Sequence, residues 1–144
     1  MPASPVTRAA VDGDREALHV LYREVRARSE ALCAPLEIED HVIQSAVVAS
    51  PPKWHLAHVS WFFETFLLKP FLPGYAVFRE GYEYLFNSYY QQVGRVYPRP
   101  DRGLLARPTV AEVGAYRAHV DAAMAELLDG ADEATWPTVA ARTE

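Results

Sequence analysis

The run Ser50-Pro51-Pro52-Lys53-Trp54-His55-Leu56-Ala57-His58-Val59-Ser60-Trp61-Phe62-Phe63-Glu64 places two imidazoles three residues apart among large aromatics. It opens like a helix: Ser50 is a good N-cap, and a proline is tolerated in the first turn. Trp54, His58, Trp61 and Phe62 then share one face at i, i+4, i+7 and i+8. An imidazole ringed by aromatics is costly to bury alone, so it asks for a proton acceptor or a metal. The spacing leaves both readings open: a pair of metal ligands, or one surface histidine and one core histidine bonded to a carbonyl. A catalytic first-row metal takes about three protein ligands and keeps a position open. The other histidines are His19, His41 and His119, and no His-x-x-x-His half-site occurs anywhere in the chain.

The second candidate is the loop Tyr97-Pro98-Arg99-Pro100-Asp101-Arg102-Gly103, where two guanidinium groups on a stiff segment could grip a carboxylate. Arginines that merely solvate a loop are the alternative. The aromatic group Tyr82, Tyr84, Phe86, Tyr89 and Tyr90 lacks interleaved lysine or arginine and reads as packing rather than a base-stacking surface. Cys33 has no neighbouring cation to activate it.

These groups belong to a chain of 144 residues, half of them apolar, which suits one domain with a real core. The net charge of −5 disfavours a nucleic-acid partner. A single cysteine excludes an internal disulfide and agrees with a reducing, cytoplasmic setting. No apolar run approaches the ~20 residues that span a bilayer, and the start Met1-Pro2-Ala3-Ser4-Pro5 lacks the order of a signal peptide.

The positioning elements read as helices. Residues 13–33 are amphipathic, with Leu18, Leu21, Val25 and Leu32 as the apolar stripe and Arg15, Arg23, Glu24, Arg26 and Arg28 on the wet face. A second helix is predicted from Ser50 to Lys69, ended by Pro70. Residues 70–108, rich in proline and glycine, form a long connection with a short helix within Tyr82–Gln92. Thr109-Val110-Ala111-Glu112 is a capping box that opens a third helix, whose stripe is Val113, Tyr116, Val120, Met124 and Leu127 or Leu128, with Gly130 at its end. The tail 131–144 carries Pro137 and no strong periodicity. With no strand pattern, the expected class is all-α.

Several ordered motifs together resemble the N-terminal DinB-like domain of the ergothioneine and ovothiol sulfoxide synthases. They are the 50–58 block, Trp61-Phe62-Phe63-Glu64, Tyr84-Leu85-Phe86-Asn87-Ser88-Tyr89-Tyr90 and Arg99-Pro100-Asp101-Arg102-Gly103-Leu104-Leu105, with Gln44-Ser45 and Tyr116-Arg117-Ala118-His119-Val120-Asp121. The resemblance covers roughly residues 13–130. It implies a DinB-like four-helix bundle joined to a larger formylglycine-generating-enzyme-like domain, with a non-haem iron(II) held by three histidines at the junction. Such enzymes use O2 to join a thiol, such as γ-glutamylcysteine or cysteine, to the imidazole of a trimethylated histidine as a sulfoxide. It further implies that His58 is an iron ligand, that His55 lies beside the site or on the surface, and that Arg99 and Arg102 hold the thiol substrate.

The other two family ligands lie in a His-Glu-x-x-His-x-Glu type helix. This chain reads Ala131-Asp132-Glu133-Ala134-Thr135-Trp136-Pro137 and on to Glu144 without one. The expectation is therefore a DinB-like portion lacking its fourth helix and its partner domain, and inactive by itself. Two alternatives are a stand-alone DinB-like metal-dependent thiol transferase and a non-catalytic helical module. A missing fourth helix would expose a seam at His58, Trp54 and Phe62, and a homodimer paired through that seam is the corresponding expectation.

Overall fold

A computed structural model describes residues 14–88 and 90–144. The start of the chain and Tyr89 lie outside the described residues, and with them the reading of Met1–Pro5. The elements are α1 (Arg15–Cys33), α2 (Pro52–Phe63), a π-helical turn (Glu64–Leu68), α3 (Lys69–Phe71), α4 (Tyr82–Phe86), α5 (Val110–Gly130) and α6 (Trp136–Thr143), with 3-10 turns at Asp40–Val42 and Arg99–Leu104. There is no strand among the described residues, so the class is all-α as the sequence predicts. No helix among them is long and apolar enough to cross a membrane.

α2 lies along α5, α1 packs against both, and α6 sits against α1, α5 and the π-helical turn. The capping box forms as read: the Glu112 N–H donates to Thr109 Oγ1 at 3.1 Å, and the Thr109 N–H donates to Glu112 Oε2 at 2.7 Å. From that start Val113, Tyr116, Val120, Met124, Leu127 and Leu128 all point into the core.

The inward face of α1 differs from the apolar stripe. Val25 and Leu32 are exposed, while Leu18, His19, Tyr22 and Arg26 are buried. Arg26, read from sequence as wet, is interior because polar groups of other segments meet two of its nitrogens and the rings of Tyr22 and Phe63 lie beside its guanidinium. Its Nε donates to Asp121 Oδ1 at 2.7 Å, an oxygen that also accepts from the Tyr22 hydroxyl, and its Nη2 donates to Ser60 Oγ at 2.8 Å. Arg117, also buried, donates to the carbonyls of Leu56 and Arg26 and to Glu30. A paired and hydrogen-bonded cation can occupy a helix interface that an unpaired one could not.

Pro70 does not stop the second helix. It lacks the N–H that would bond the Phe66 carbonyl, and the wider turn at Glu64–Leu68 carries the helix past it as far as Phe71. Arg142 of α6 donates to that same Phe66 carbonyl at 3.2 Å. The tail thus becomes the short helix α6, with Pro137 harmless in its first turn and Val139 fully buried. Arg15 ties down the other end of this region by donating to the Leu128 and Ala131 carbonyls and lying over the Trp136 ring.

Of the three residues of the expected seam, Trp54 is covered by the chain itself, while His58 and Phe62 are half-buried. Trp54 is buried, and its indole N–H donates to the Leu85 carbonyl of α4 at 2.9 Å. The 70–108 connection, not a fourth helix, covers it.

Glu64 stitches that connection to the bundle. Its buried carboxylate accepts from the hydroxyls of Tyr75 (2.5 Å) and Tyr116 (3.0 Å) and from the Phe78 N–H (3.3 Å). Glu64→Ala leaves two phenols without their acceptor and should cost about 3 kcal/mol in urea unfolding, against about 1 kcal/mol for Glu64→Gln. A loss below about 1 kcal/mol for the alanine variant would contradict this role.

Candidate functional site

α2 delivers His58 with Trp54 one turn before it and Trp61 one turn after. The imidazole stacks nearly parallel to both indoles, with ring centroids 4.7 Å from Trp54 and 5.4 Å from Trp61. Stacking fixes the ring plane, and one hydrogen bond fixes its rotation: His58 Nδ1 lies 2.6 Å from the Phe86 carbonyl. A carbonyl can only accept, so Nδ1 carries the proton and Nε2 keeps its lone pair. Burial pushes the His58 pKa down, and the Arg102 charge adds to this against the opposing pull of the Phe86 bond. The group is a neutral imidazole with one nitrogen committed and one available.

The Phe86 carbonyl is itself held in place. Asn87 is fully buried, receives the Tyr90 N–H on its side-chain oxygen and donates to the Tyr90 carbonyl. α4 begins at Gly81, whose φ of +90° is left-handed backbone that glycine adopts freely. The chain thereby turns abruptly into a five-residue helix ending over α2.

Arg102 is the second anchor. Its guanidinium carbon sits 3.5 Å over the Trp54 ring, and its Nη1 donates to Ser50 Oγ at 2.8 Å. Ser50 therefore does not cap α2, as its sequence position suggests. Pro51 takes the capping place without a side-chain bond, and the hydroxyl serves the arginine. Arg102 is almost wholly buried, and its Nε–H has no partner. Burial first, and the Arg99 charge second, lower its pKa to about 10, so it stays cationic at neutral pH.

His58, His55, Trp54, Ser50, Ser88, Arg99 and Arg102 line one cleft of about 380 Å3, together with Val48 and Ala49. The structure brings together all four residues singled out by sequence: His55 is exposed, His58 and Arg99 are half-buried, and Arg102 is buried. His55 is exposed, yet its pKa is lowered by desolvation and by the Arg102 and Arg99 charges, offset in part by a bond to the Ser50 backbone. The cleft combines two guanidinium groups with two imidazoles, of which His58 has its Nδ1 committed to a carbonyl. Sequence reasoning did not assign three of the parts that set this geometry: the Phe86 carbonyl, the Asn87 turn and the Ser50 hydroxyl. Only Asn87, a turn-forming type directly after an aromatic run, left a signal.

The remaining histidines lie elsewhere. His19 meets Asp129 at 2.9 Å, His41 bonds the Glu37 carbonyl in its own turn, and His119 bonds the Ala76 carbonyl at 3.0 Å while packing on Tyr75 and Phe78. No group of three or more His, Cys, Asp or Glu among the described residues is arranged to hold a metal ion. His58 has the form of a ligand, with its second nitrogen fixed by a carbonyl.

The lowered histidine pKa values set a sign for the pH dependence. The unfolded chain binds protons at His55 and His58 from about pH 6.5 downward, whereas the folded chain binds them only at lower pH. Stability is therefore full above about pH 6.5 and falls as pH drops through the window below it. His58→Gln should flatten the slope of unfolding free energy against pH between about 6.5 and 5. An unchanged slope would show that His58 is not held neutral.

The sequence profile of the DinB superfamily matches residues 21–143 of the chain. No curated protein matches it. The match spans α2, the connection over the cleft, α5 and α6, together with most of α1. Helical content, the order of elements and the profile agree, and the chain belongs to the DinB superfamily.

Proposed function

We propose that this chain is the DinB-like portion of a non-haem iron(II), O2-dependent sulfoxide synthase that joins a thiol, such as γ-glutamylcysteine or cysteine, to a trimethylated histidine. The observation that carries the reading is the His58 imidazole, whose Nδ1–H is spent on the Phe86 carbonyl, which leaves the lone pair on Nε2. The ordered motifs that resemble these synthases support it, and so does the arginine pair lining the same cleft.

In this reading His58 contributes one nitrogen to the iron, and ligands beyond the described residues complete the set. Iron, when bound, would supply O2 activation. The chain's own residues do the rest: Arg102, braced on Trp54 and Ser50, and Arg99 hold substrate carboxylates, and the Trp54–His58–Trp61 stack keeps the ligand from rotating. His55 sits beside the site without being needed as a ligand. A single ligand predicts that the chain in isolation binds iron loosely and does not turn over.

Anaerobic Fe(II) titration tests the metal half of the proposal. Weak binding by the parent chain, lost in His58→Ala and kept in His55→Ala, is the expected pattern. Tight one-to-one binding that survives His58→Ala would overturn the assignment. Calorimetry tests the substrate half. Arg99→Ala and Arg102→Ala should each weaken γ-glutamylcysteine by about 10- to 100-fold, the loss of a charge-assisted hydrogen bond of about 1.5–3 kcal/mol, and should change binding of the trimethylated histidine far less. Equal effects on the two compounds would return both arginines to a solvating role.

A further inference from the structure

Arg99 and Arg102 stand at the two ends of one turn of 3-10 helix. In that geometry residues i and i+3 eclipse, so both side chains leave the turn on the same side, towards the cleft they line. In an α-helix the same two residues would diverge by about 60°. The conformation of this one turn therefore decides whether the arginines converge.

An α-helical turn here would join the Arg99 carbonyl directly to the Gly103 N–H, its i+4 partner. The structure puts a side chain in that bond. Gln44 Nε2 donates to the Arg99 carbonyl at 2.7 Å, and Gln44 Oε1 accepts from the Gly103 N–H at 2.8 Å. The second amide hydrogen of Gln44 goes to the Ala49 carbonyl at 2.8 Å, which fixes the carboxamide to the segment leading into α2. Few side chains could do this: the inserted group must donate and accept in one plane, which a carboxamide does. The approach is close enough to need glycine. A Cβ on residue 103 would fall 2.8 Å from Gln44 Cβ and 2.8 Å from its Oε1. Apolar packing does little to hold the turn, since Leu104 is exposed and Arg102 is its one buried residue.

We propose that Gln44 is the positioning residue of the arginine pair: by intercepting the 99–103 backbone bond it holds the turn in its 3-10 form and keeps Arg99 and Arg102 facing one anion. The inference rests on the reading of the cleft as a carboxylate site. It adds a specificity element, since a fixed spacing of two guanidinium groups selects among carboxylates by shape as well as charge.

The test measures γ-glutamylcysteine binding to the full chain by calorimetry, together with unfolding temperature and NOE patterns over residues 99–104. Gln44→Ala should weaken binding about tenfold with little change in unfolding temperature, and its NOEs should shift from 3-10 to α-helical contacts. Gly103→Ala, which pushes Gln44 out from the other side, should reproduce the loss. In an Arg99→Ala background, Gln44→Ala should add almost nothing, because the two changes act on one interaction. Binding that falls in the arginine variants but stays intact in Gln44→Ala, with an unchanged 3-10 pattern, overturns the role of Gln44 alone. Binding that is indifferent to Arg99→Ala and Arg102→Ala overturns the carboxylate reading itself.

Discussion

A neutral imidazole pinned between two indoles is the constraint around which the structure is arranged. Stacking on Trp54 and Trp61 removes two of the ring's freedoms, and the 2.6 Å bond to the Phe86 carbonyl removes the last and selects the tautomer. Each of those three partners needs support of its own. Trp54 is held by the Leu85 carbonyl and covered by Arg102, and Phe86 is held by the short helix α4 and the Asn87 turn. The 70–108 connection, which looks like an excess of loop in the sequence, is the part that completes the His58 environment.

The electrostatics of the cleft follow from burial. Arg102 loses water and gains Trp54 and Ser50, so its charge is weakly screened on the cleft side. That charge helps to keep the two histidines neutral, and a neutral histidine is the form that can give a lone pair to a metal. Anion recognition and ligand availability are thus coupled through one arginine. The bundle behind the cleft is also joined by buried polar groups, with Arg117 and Glu64 bonded to partners from other segments and Arg26 bonded through Nε and Nη2 while its Nη1 has no partner. Such networks demand their full set of partners, so they favour one packing over near alternatives.

Much of this was legible in the sequence because it depends on local chemistry. The capping box at Thr109, the stripe from Val113 to Leu128 and the convergence of His58 with Arg99 and Arg102 follow from spacing, motif and resemblance. What was hidden depends on partners distant in the chain. Arg26 reads as a surface residue until Asp121 and Ser60 are brought to it. Pro70 reads as a stop until a π-helical turn absorbs it and Arg142 supplies a donor. The tail reads as irregular because eight residues are too few to show a period, yet they bury Val139 against the bundle.

The central claim is that His58 is neutral, protonated on Nδ1 and free on Nε2. Long-range 1H–15N correlation spectroscopy of the imidazole nitrogens measures this directly. The account predicts, near pH 7, one protonated nitrogen assigned to Nδ1 and one unprotonated nitrogen assigned to Nε2, with the signals of this ring broadening on addition of Fe(II) under anaerobic conditions. A ring protonated on Nε2, or on both nitrogens at that pH, would contradict it.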